Sequence, residues 1–588
     1  MKILLAAINA KYIHSNLAVY CLKAYAGERW ETEQGGLTSP GIEIAEYTIN
    51  QQADEILRDI YKRKPDMLCL SCYIWNLAYA EEVVREVHKV LPDTRLWLGG
   101  PEVSYDAPDV LRRLPEVDGV MKGEGEETFY ELVCHYMRVK NGKQLDEIEG
   151  IVYRKEEGCE GTDFGETPWR PVMDLSRVPF VYHDMQLFEH KIIYYESSRG
   201  CPFSCSYCLS SVDKCLRFRD IELVKKELQF FIDRKVPQVK FVDRTFNCKH
   251  EHALAIWRYI LEHDNGITNF HFEVSADLLN EEELELMRRM RPGLIQLEIG
   301  VQSTNPGTIR EIHRTMRFEQ VAEIVKRINS YGNIHQHLDL IAGLPYEDYT
   351  SFGKSFNDVY ALEPEQLQLG FLKVLKGSYM EEQKDSYGLV YKGKPPYEVL
   401  YTRWLPYEDT LRLKGIEEMV EVYYNSRQFC YTLPYLIRWF EGPFSFFEAL
   451  SDYYEDHGWN TVNHSRTARY EILLQFAAER DAEHLEQYRQ LLTFDFYLRE
   501  NAKNRPEFAG EERISKEKER EFYETESREQ KYLKGYGSYD KRQIRKMTHI
   551  ETFRYNVTGN MEEGDCTILF DYQNRSPLNH QASMFQID

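Results

Sequence analysis

The sequence predicts an α/β protein: a doubly wound, flavodoxin-like domain, then a partial (β/α)6 barrel, then a mainly helical region. Three observations carry that prediction. Short apolar runs alternate with amphipathic segments over two separate stretches, the pattern of parallel strands covered by helices on both faces. Between them lies a segment rich in Gly, Pro and charge (RKEEGCEGTDFGETPWRPVMDLSRVPF), where the alternation stops. Beyond the second stretch the chain is dense in Tyr, Phe, Glu and Arg at helical spacing.

Residues 1–145 form the first unit. Strands are expected at Lys2–Ala7, Ile42–Tyr47, Met67–Ser71, Arg95–Leu98 and Gly119–Met121, with helices over 15–26, 53–63, 76–90 and 126–139 between and after them. About five such units make a doubly wound domain, whose ligand crevice lies outside the carboxyl ends of its strands. Residues 146–190 read as a connector with one hairpin around Gly150–Arg154. Residues 191–380 hold six more β/α-type units, with strands expected at 192–197, 238–242, 269–274, 294–299, 335–340 and 366–372. Reactive groups in such folds sit at the C-terminal ends of strands. In residues 381–588 helices are expected over 409–424, 435–441, 445–454 and 484–499, an exposed helix or loop over 511–530, and one strand at 567–572.

The 588 residues suggest three or four domains. An excess of 96 Asp+Glu over 73 Lys+Arg, net −23, argues against a surface built to grip nucleic acid. The short basic run Lys541–Lys546 reads as a solvated face. No apolar run reaches about 18 residues, so no membrane-spanning helix is expected. The opening MKILLAAINA reads as a buried strand rather than a signal peptide, and twelve sparse cysteines point to a reducing cytosol, with no disulfide scaffold.

Three of those cysteines crowd into one loop after a strand: Cys201, Cys205 and Cys208, a C-x3-C-x2-C spacing within RGCPFSCSYCL. Thiolates are soft ligands for iron–sulfur clusters or zinc. A structural zinc site takes four protein ligands. Three close thiolates with no fourth nearby favour a four-iron cluster with one iron open. Buried cysteines falling at this spacing, or zinc with a distant His, are the alternatives.

The spacing, and its place after the first barrel strand, resembles the radical S-adenosylmethionine (radical SAM) superfamily. The resemblance extends downstream through Phe241-Val-Asp-Arg-Thr-Phe-Asn247, Phe272-Glu-Val-Ser-Ala-Asp277, Glu298-Ile-Gly-Val-Gln-Ser303 and Asp339-Leu-Ile-Ala-Gly-Leu-Pro345, each at a strand end. It implies a [4Fe–4S] cluster on Cys201, Cys205 and Cys208, whose open iron binds SAM and whose electron cleaves it to a 5′-deoxyadenosyl radical. It further implies SAM contacts at Tyr207, Glu273, Gln302 and Ser303.

In the first domain, Leu70-Ser-Cys-Tyr-Ile-Trp-Asn76, Leu98-Gly-Gly-Pro-Glu102 and Lys122-Gly-Glu-Gly-Glu-Glu127 each follow a strand. Without a family, these are the tight turns of a Rossmann-like domain. The set resembles the cobalamin-binding domain found ahead of radical SAM domains, and implies cobalamin contacts at Ser71, Gly99, Gly100, Glu102, Gly123, Glu124, Gly125 and Glu126. The D-x-H-x-x-G motif that brings a histidine to cobalt is absent, Glu102 stands where related proteins often carry His, and the first loop (NAKYIHSN, with His14) is not Pro-rich.

Cys69 and Cys72 form a C-x2-C that reads either as a redox pair or, more commonly, as two small residues at a buried strand end. His335 and His337 alternate on one strand and share a face. The resemblance implies an enzyme that methylates an unactivated carbon or phosphorus centre of a small molecule, using SAM, cobalamin and an external flavodoxin- or ferredoxin-type electron donor. Alternatives are a non-methylating radical rearrangement, ring closure or oxidation, an RNA-modifying enzyme, and a cobalamin sensor with an inert cluster.

Overall fold

The computed structural model describes residues 1–155, 163–212, 214–511 and 514–587. Its first sheet has seven strands: β1 (Lys2–Asn9), β2 (Gly41–Thr48), β3 (Met67–Ser71), β4 (Arg95–Gly99), β5 (Gly119–Met121), β6 (Ile151–Arg154) and β7 (Phe164–Glu166), in the order β2-β1-β3-β4-β5-β6-β7. Strands β1 to β5 are parallel, while β6 and β7 add antiparallel at one edge. The interior strand β1 is apolar from Ile3 to Ile8 because both its faces are buried. Ile3, Leu5 and Ala7 pack under helices Leu17–Glu33 and Glu126–Tyr136, and Leu4, Ala6 and Ile8 pack under Ala53–Arg63, Leu77–Val90 and Ala107–Arg113. The expected hairpin around Gly150–Arg154 is thus part of this sheet, in the segment read as a connector.

The second sheet has six parallel strands, β8 (Ile193–Tyr195), β11 (Gln238–Phe241), β12 (Asn269–Val274), β13 (Ile295–Gln302), β14 (His335–Ala342) and β15 (Gln366–Phe371), in the order β15-β14-β13-β12-β11-β8. Alternation along these strands sorts the residues into two faces. Phe270, Phe272, Val274, Ile295, Leu297, Ile299, Leu338 and Leu340 belong to the core under the outer helices. His271, Glu273, Gln296, Glu298, His335, His337 and Asp339 therefore line the concave side. The interior of a closed eight-stranded barrel is filled with branched apolar side chains; this one is polar and titratable, which suits a ligand.

A six-stranded partial barrel leaves two open edges, and an exposed edge is a liability. The first domain covers the β8 edge: Ile192 N donates to Ile13 O at 2.8 Å, and Ser15 Oγ to Ile192 O at 3.2 Å. The C-terminal region covers the β15 edge, where Asn425 Nδ2 donates to Leu367 O and Leu367 N donates to Asn425 Oδ1, both at 2.9 Å. Asn425 ends a π-helical turn (Val420–Asn425) that continues helix Tyr407–Met419.

That region also contains helices Thr432–Ile437, Pro443–Asp456, Arg466–Arg480, Leu485–Arg499 and Lys516–Glu529. Pro443 is the first residue of its helix, where the missing N–H costs nothing, so Gly442-Pro443 separates that helix from Thr432–Ile437. Helix Arg466–Arg480 went unforeseen. The single expected strand at 567–572 is the middle of a three-stranded antiparallel sheet of β18 (Thr548–Tyr555), β19 (Glu563–Arg575) and β20 (Ala582–Ile587). In β18 the buried Thr548 and Glu551 are polar, and in β20 the exposed Met584 is apolar, so neither outer strand shows a clean polar–apolar alternation.

Candidate active site at the mouth of the barrel

The cysteine loop follows β8 and is closed at its base. Strand β9 (Ser198–Arg199) pairs antiparallel with β10 (Arg217–Phe218), so the loop leaves and rejoins the barrel at one point. Gly200 sits at that neck with φ +93°, and a Cβ there would lie 2.8 Å from Cys215 O. Only glycine tolerates both the conformation and the approach. Higher in the loop, Ser206 N donates to Ile312 O and Met380 N to Ser206 O, both at 3.0 Å. Tyr207 packs on a cluster of Ile312, Leu344, Met380, Tyr387, Leu389 and Val399, so the start of the C-terminal region supports the loop.

Burial raises the Cys201 thiol, and the neighbouring Cys208 and Cys205 push it further up. Among the described residues, one group of three His, Cys, Asp or Glu side chains converges within 4.8 Å, and it is Glu298, His337 and Asp339. The cysteine trio is set wider than that. Arg314 Nη1 lies 3.8 Å from Cys205 Sγ and 3.2 Å from the Tyr207 hydroxyl, and Thr245 Oγ1 lies 3.8 Å from Cys201 Sγ. Neither Arg314 nor Thr245 was singled out from the sequence. Cys248 stands near enough to Cys201 for its thiol, raised mainly by burial, to reach about 11.

Glu273 faces the concave side, and burial pushes its carboxyl up to about 7. Gln302 closes β13 at a register shift, with φ +71°, and its buried Oε1 has no hydrogen-bond partner among the described residues. Strain of this kind in a non-glycine residue collects at functional sites. Ser303, by contrast, is fully buried and donates to Glu347 Oε1 at 2.6 Å. It is placed to hold the turn behind Gln302.

The first domain presents its strand ends to the same region. Gly100 has φ +115°, and a Cβ there would lie 2.5 Å from Cys72 O. Ser71 Oγ accepts from Asn16 Nδ2 at 3.0 Å. Gly99 ends β4, and Gly123 packs against Trp169, which is half exposed. Gly125 precedes helix Glu126–Tyr136, with Leu22 against it. Tyr73 and Trp75 stack at 4.5 Å, and Trp75, Tyr12 and Ile13 are exposed on the strand-end loops. Glycine backbone and exposed rings at one sheet edge fit a large flat ligand. The acidic residues are engaged elsewhere. Glu126 accepts from Arg199 at 2.8 Å, Glu124 pairs with Arg217 and with Arg199 at 3.6 Å, and Glu102 accepts from the Tyr397 hydroxyl at 2.5 Å. Arg199 is two residues before Cys201, so these pairs set the first domain's strand ends against the cysteine loop.

Residues 3–133 match the B12 binding domain family, residues 195–359 the radical SAM superfamily, and residues 385–570 a family described as a protein of unknown function, DUF4080. The chain joins a B12-binding-type domain to a radical SAM domain. Among curated proteins, the 2-(S-pantetheinyl)-carbapenam-3-carboxylate methyltransferase of Streptantibioticus cattleyicolor is 28% identical over 309 residues, which is 49% of this chain and 44% of that protein. An anaerobic magnesium-protoporphyrin IX monomethyl ester cyclase of Rubrivivax gelatinosus is 23% identical over 328 residues, 53% of this chain and 57% of that one. The chain thus spans about half the length of these relatives. Among solved structures, the cobalamin-dependent S-adenosylmethionine radical enzyme OxsB, with aqua-cobalamin and S-adenosylmethionine bound, superposes with a TM-score of 0.58 at 15% identity, covering 83% of this chain and 80% of that chain. That likeness is one of fold.

The remaining candidates have the following surroundings. Cys69 and Cys72 are buried in the cores on opposite faces of the first sheet, so they form no pair. His14 Nδ1 lies 2.6 Å from the Tyr194 hydroxyl, across the join between the domains. Among the described residues no helix is long and apolar enough to cross a membrane.

Proposed function

We propose that this protein is a cobalamin-dependent radical SAM methyltransferase acting on an unactivated carbon or phosphorus centre of a small molecule. The observation that carries the reading is the Arg199–Glu126 pair, which sets the cobalamin-type strand ends beside the cysteine loop. Cys201, Cys205 and Cys208 would hold the cluster, with the Arg314 guanidinium directed at the Cys205 sulfur. When bound, the cluster with SAM supplies a carbon-centred radical and cobalamin supplies the methyl group. Glu273 and Gln302 would offer oxygen acceptors to SAM, and Tyr207 of the cysteine loop would contact it. Ser303 positions Gln302 through its bond to Glu347. Ser71, Gly99, Gly100, Gly123 and Gly125 form the wall against which the corrin would lie, with Glu124 and Glu126 fixing that wall to the barrel and Glu102 fixing it to Tyr397 of the C-terminal region. The reductant is an external flavodoxin- or ferredoxin-type protein, in keeping with a cytoplasmic setting.

The second reading, a radical ring closure or oxidation without methyl transfer, is favoured by the likeness to the cyclase. Reconstituted protein incubated anaerobically with SAM labelled on its methyl group separates the two. Label in a product supports methyl transfer. Release of 5′-deoxyadenosine with an unlabelled product supports the second reading, and no SAM cleavage despite a full cluster and a strong reductant removes both.

A further inference from the structure

Deeper in the barrel than the cysteine loop lies a cluster that the radical chemistry leaves unused. Glu298 on β13 and His337 and Asp339 on β14 bring one ligand atom each within 4.8 Å of one another. His271 on β12 joins them, with Nε2 3.1 Å from Glu298 Oε2, and His337 Nε2 stands 3.0 Å from Asp339 Oδ1. Both imidazoles are more than nine-tenths buried. Despite those distances, His271 Nε2, His337 Nε2 and Asp339 Oδ1 have no hydrogen-bond partner of acceptable geometry among the described residues. Buried imidazole nitrogens and carboxylate oxygens that stand 3.0–3.1 Å apart without a well-aligned hydrogen bond are donor atoms that one metal ion can share. Ligand atoms on one octahedral ion with bonds of about 2.1 Å stand roughly 3 Å apart. The charges also suit a cation. Two carboxylates meet one lysine: Lys240 Nζ donates to Glu298 Oε2 at 3.0 Å, and among the described residues His337 is the ion-pair partner of Asp339.

We propose that Glu298, His337 and Asp339, with His271 beside them, form a binding site for one divalent first-row metal ion inside the barrel. The mixed imidazole and carboxylate set selects such an ion over calcium or magnesium, which prefer all-oxygen shells. Three protein ligands leave coordination positions open toward the concave side, where Glu273 lies level with Glu298 on the neighbouring strand. An oxygen- or nitrogen-donor group of a substrate would be held there. The site stands on barrel residues alone and is independent of the cysteine triad.

The test uses full-length protein carrying Cys201→Ala, Cys205→Ala and Cys208→Ala, so that cluster iron does not interfere, with Mn(II) as the probe read by loss of its free EPR signal. One Mn(II) per chain is expected, displaced by Zn(II). His337→Gln and Asp339→Asn are each expected to weaken binding about tenfold or more, with thermal melts showing that the variants fold. Glu298→Gln supplies a third reading if either variant is unstable. No stoichiometric binding, or binding unchanged in all three variants, overturns the proposal. Because no SAM is present, failure here leaves the methyl-transfer reading untouched, and failure of labelled methyl transfer leaves this one untouched.

Discussion

The Arg314 guanidinium stands 3.8 Å from the sulfur of Cys205 and 3.2 Å from the hydroxyl of Tyr207. A fixed positive charge at that distance stabilises whichever state of the sulfur's surroundings carries more negative charge. A reduced cluster carries one more electron than an oxidised one. Arg314→Met should therefore lower the cluster's reduction potential by about 50–100 mV, while Arg314→Lys keeps most of it. A potentiometric titration followed by EPR reads this directly. An unchanged potential in Arg314→Met would show that the guanidinium does not face the cluster.

Glu273 faces the concave side of the barrel, level with Glu298, and is the proposed SAM contact on β12. Glu273→Gln keeps the shape and removes the charge that would receive SAM's ammonium group. The expected result is SAM binding weakened about tenfold or more, since a charge-assisted hydrogen bond contributes about 1.5–3 kcal/mol. Iron content should stay at the wild-type level. Equilibrium dialysis with labelled SAM checks the affinity. Equal affinities would move the SAM site away from β12.

The cysteine triad was legible because its three residues lie in one contiguous loop, where spacing alone suggests the chemistry. The polar concave face was legible for a similar local reason: strand alternation sorts Phe270 and Phe272 from His271 and Glu273. Arg314, Thr245 and Asn425 were not legible. Each works through a partner distant in sequence, and a long-range contact leaves no local periodicity. Gln302 and Ser303 show the limit most sharply. Both belong to one motif, yet the register shift in β13 leaves the Gln302 Oε1 unpartnered and buries Ser303 against Glu347. The cobalamin-type loops were read as ligand contacts, and their carboxylates turn out to bond to the barrel and the C-terminal region.

Asp495 predicts a pH dependence of stability. It is buried in helix Leu485–Arg499 and accepts from Tyr431 N at 3.0 Å, Thr432 N at 2.8 Å and Thr432 Oγ1 at 2.7 Å. Burial nevertheless holds its carboxyl up to about 7. An unfolded Asp titrates near 3.9. Between about pH 4 and about pH 7 the native chain holds a proton that the unfolded chain has lost, so stability falls as pH rises through that window. The loss is on the order of 2–4 kcal/mol. Asp495→Asn should flatten the slope. Urea unfolding of both proteins at about pH 5 and about pH 8 checks it, and parallel pH profiles would count against the assignment.

Arg199 tests the coupling between the cysteine loop and the first domain. Its guanidinium donates to Glu126 at 2.8 Å and to Glu196 at 2.7 Å, and Glu126 is only 5% exposed. Removing the cation leaves a buried carboxylate unpaired, which destabilises by about 3–5 kcal/mol when desolvation is complete. Arg199 retains some solvent contact, so Arg199→Met is expected near the low end. The double variant Arg199→Met with Glu126→Gln should recover part of the loss, because the unpaired charge is then gone. Urea unfolding of the two single variants and the double variant measures the coupling. Cobalt retained by protein reconstituted with cobalamin gives the functional counterpart: if the pair sets the strand ends against the cysteine loop, Arg199→Met loses corrinoid while the surface control Arg112→Ala keeps it. Additive unfolding energies together with full corrinoid retention would reduce the pair to an ordinary surface contact and leave the facing of the two domains without its anchor.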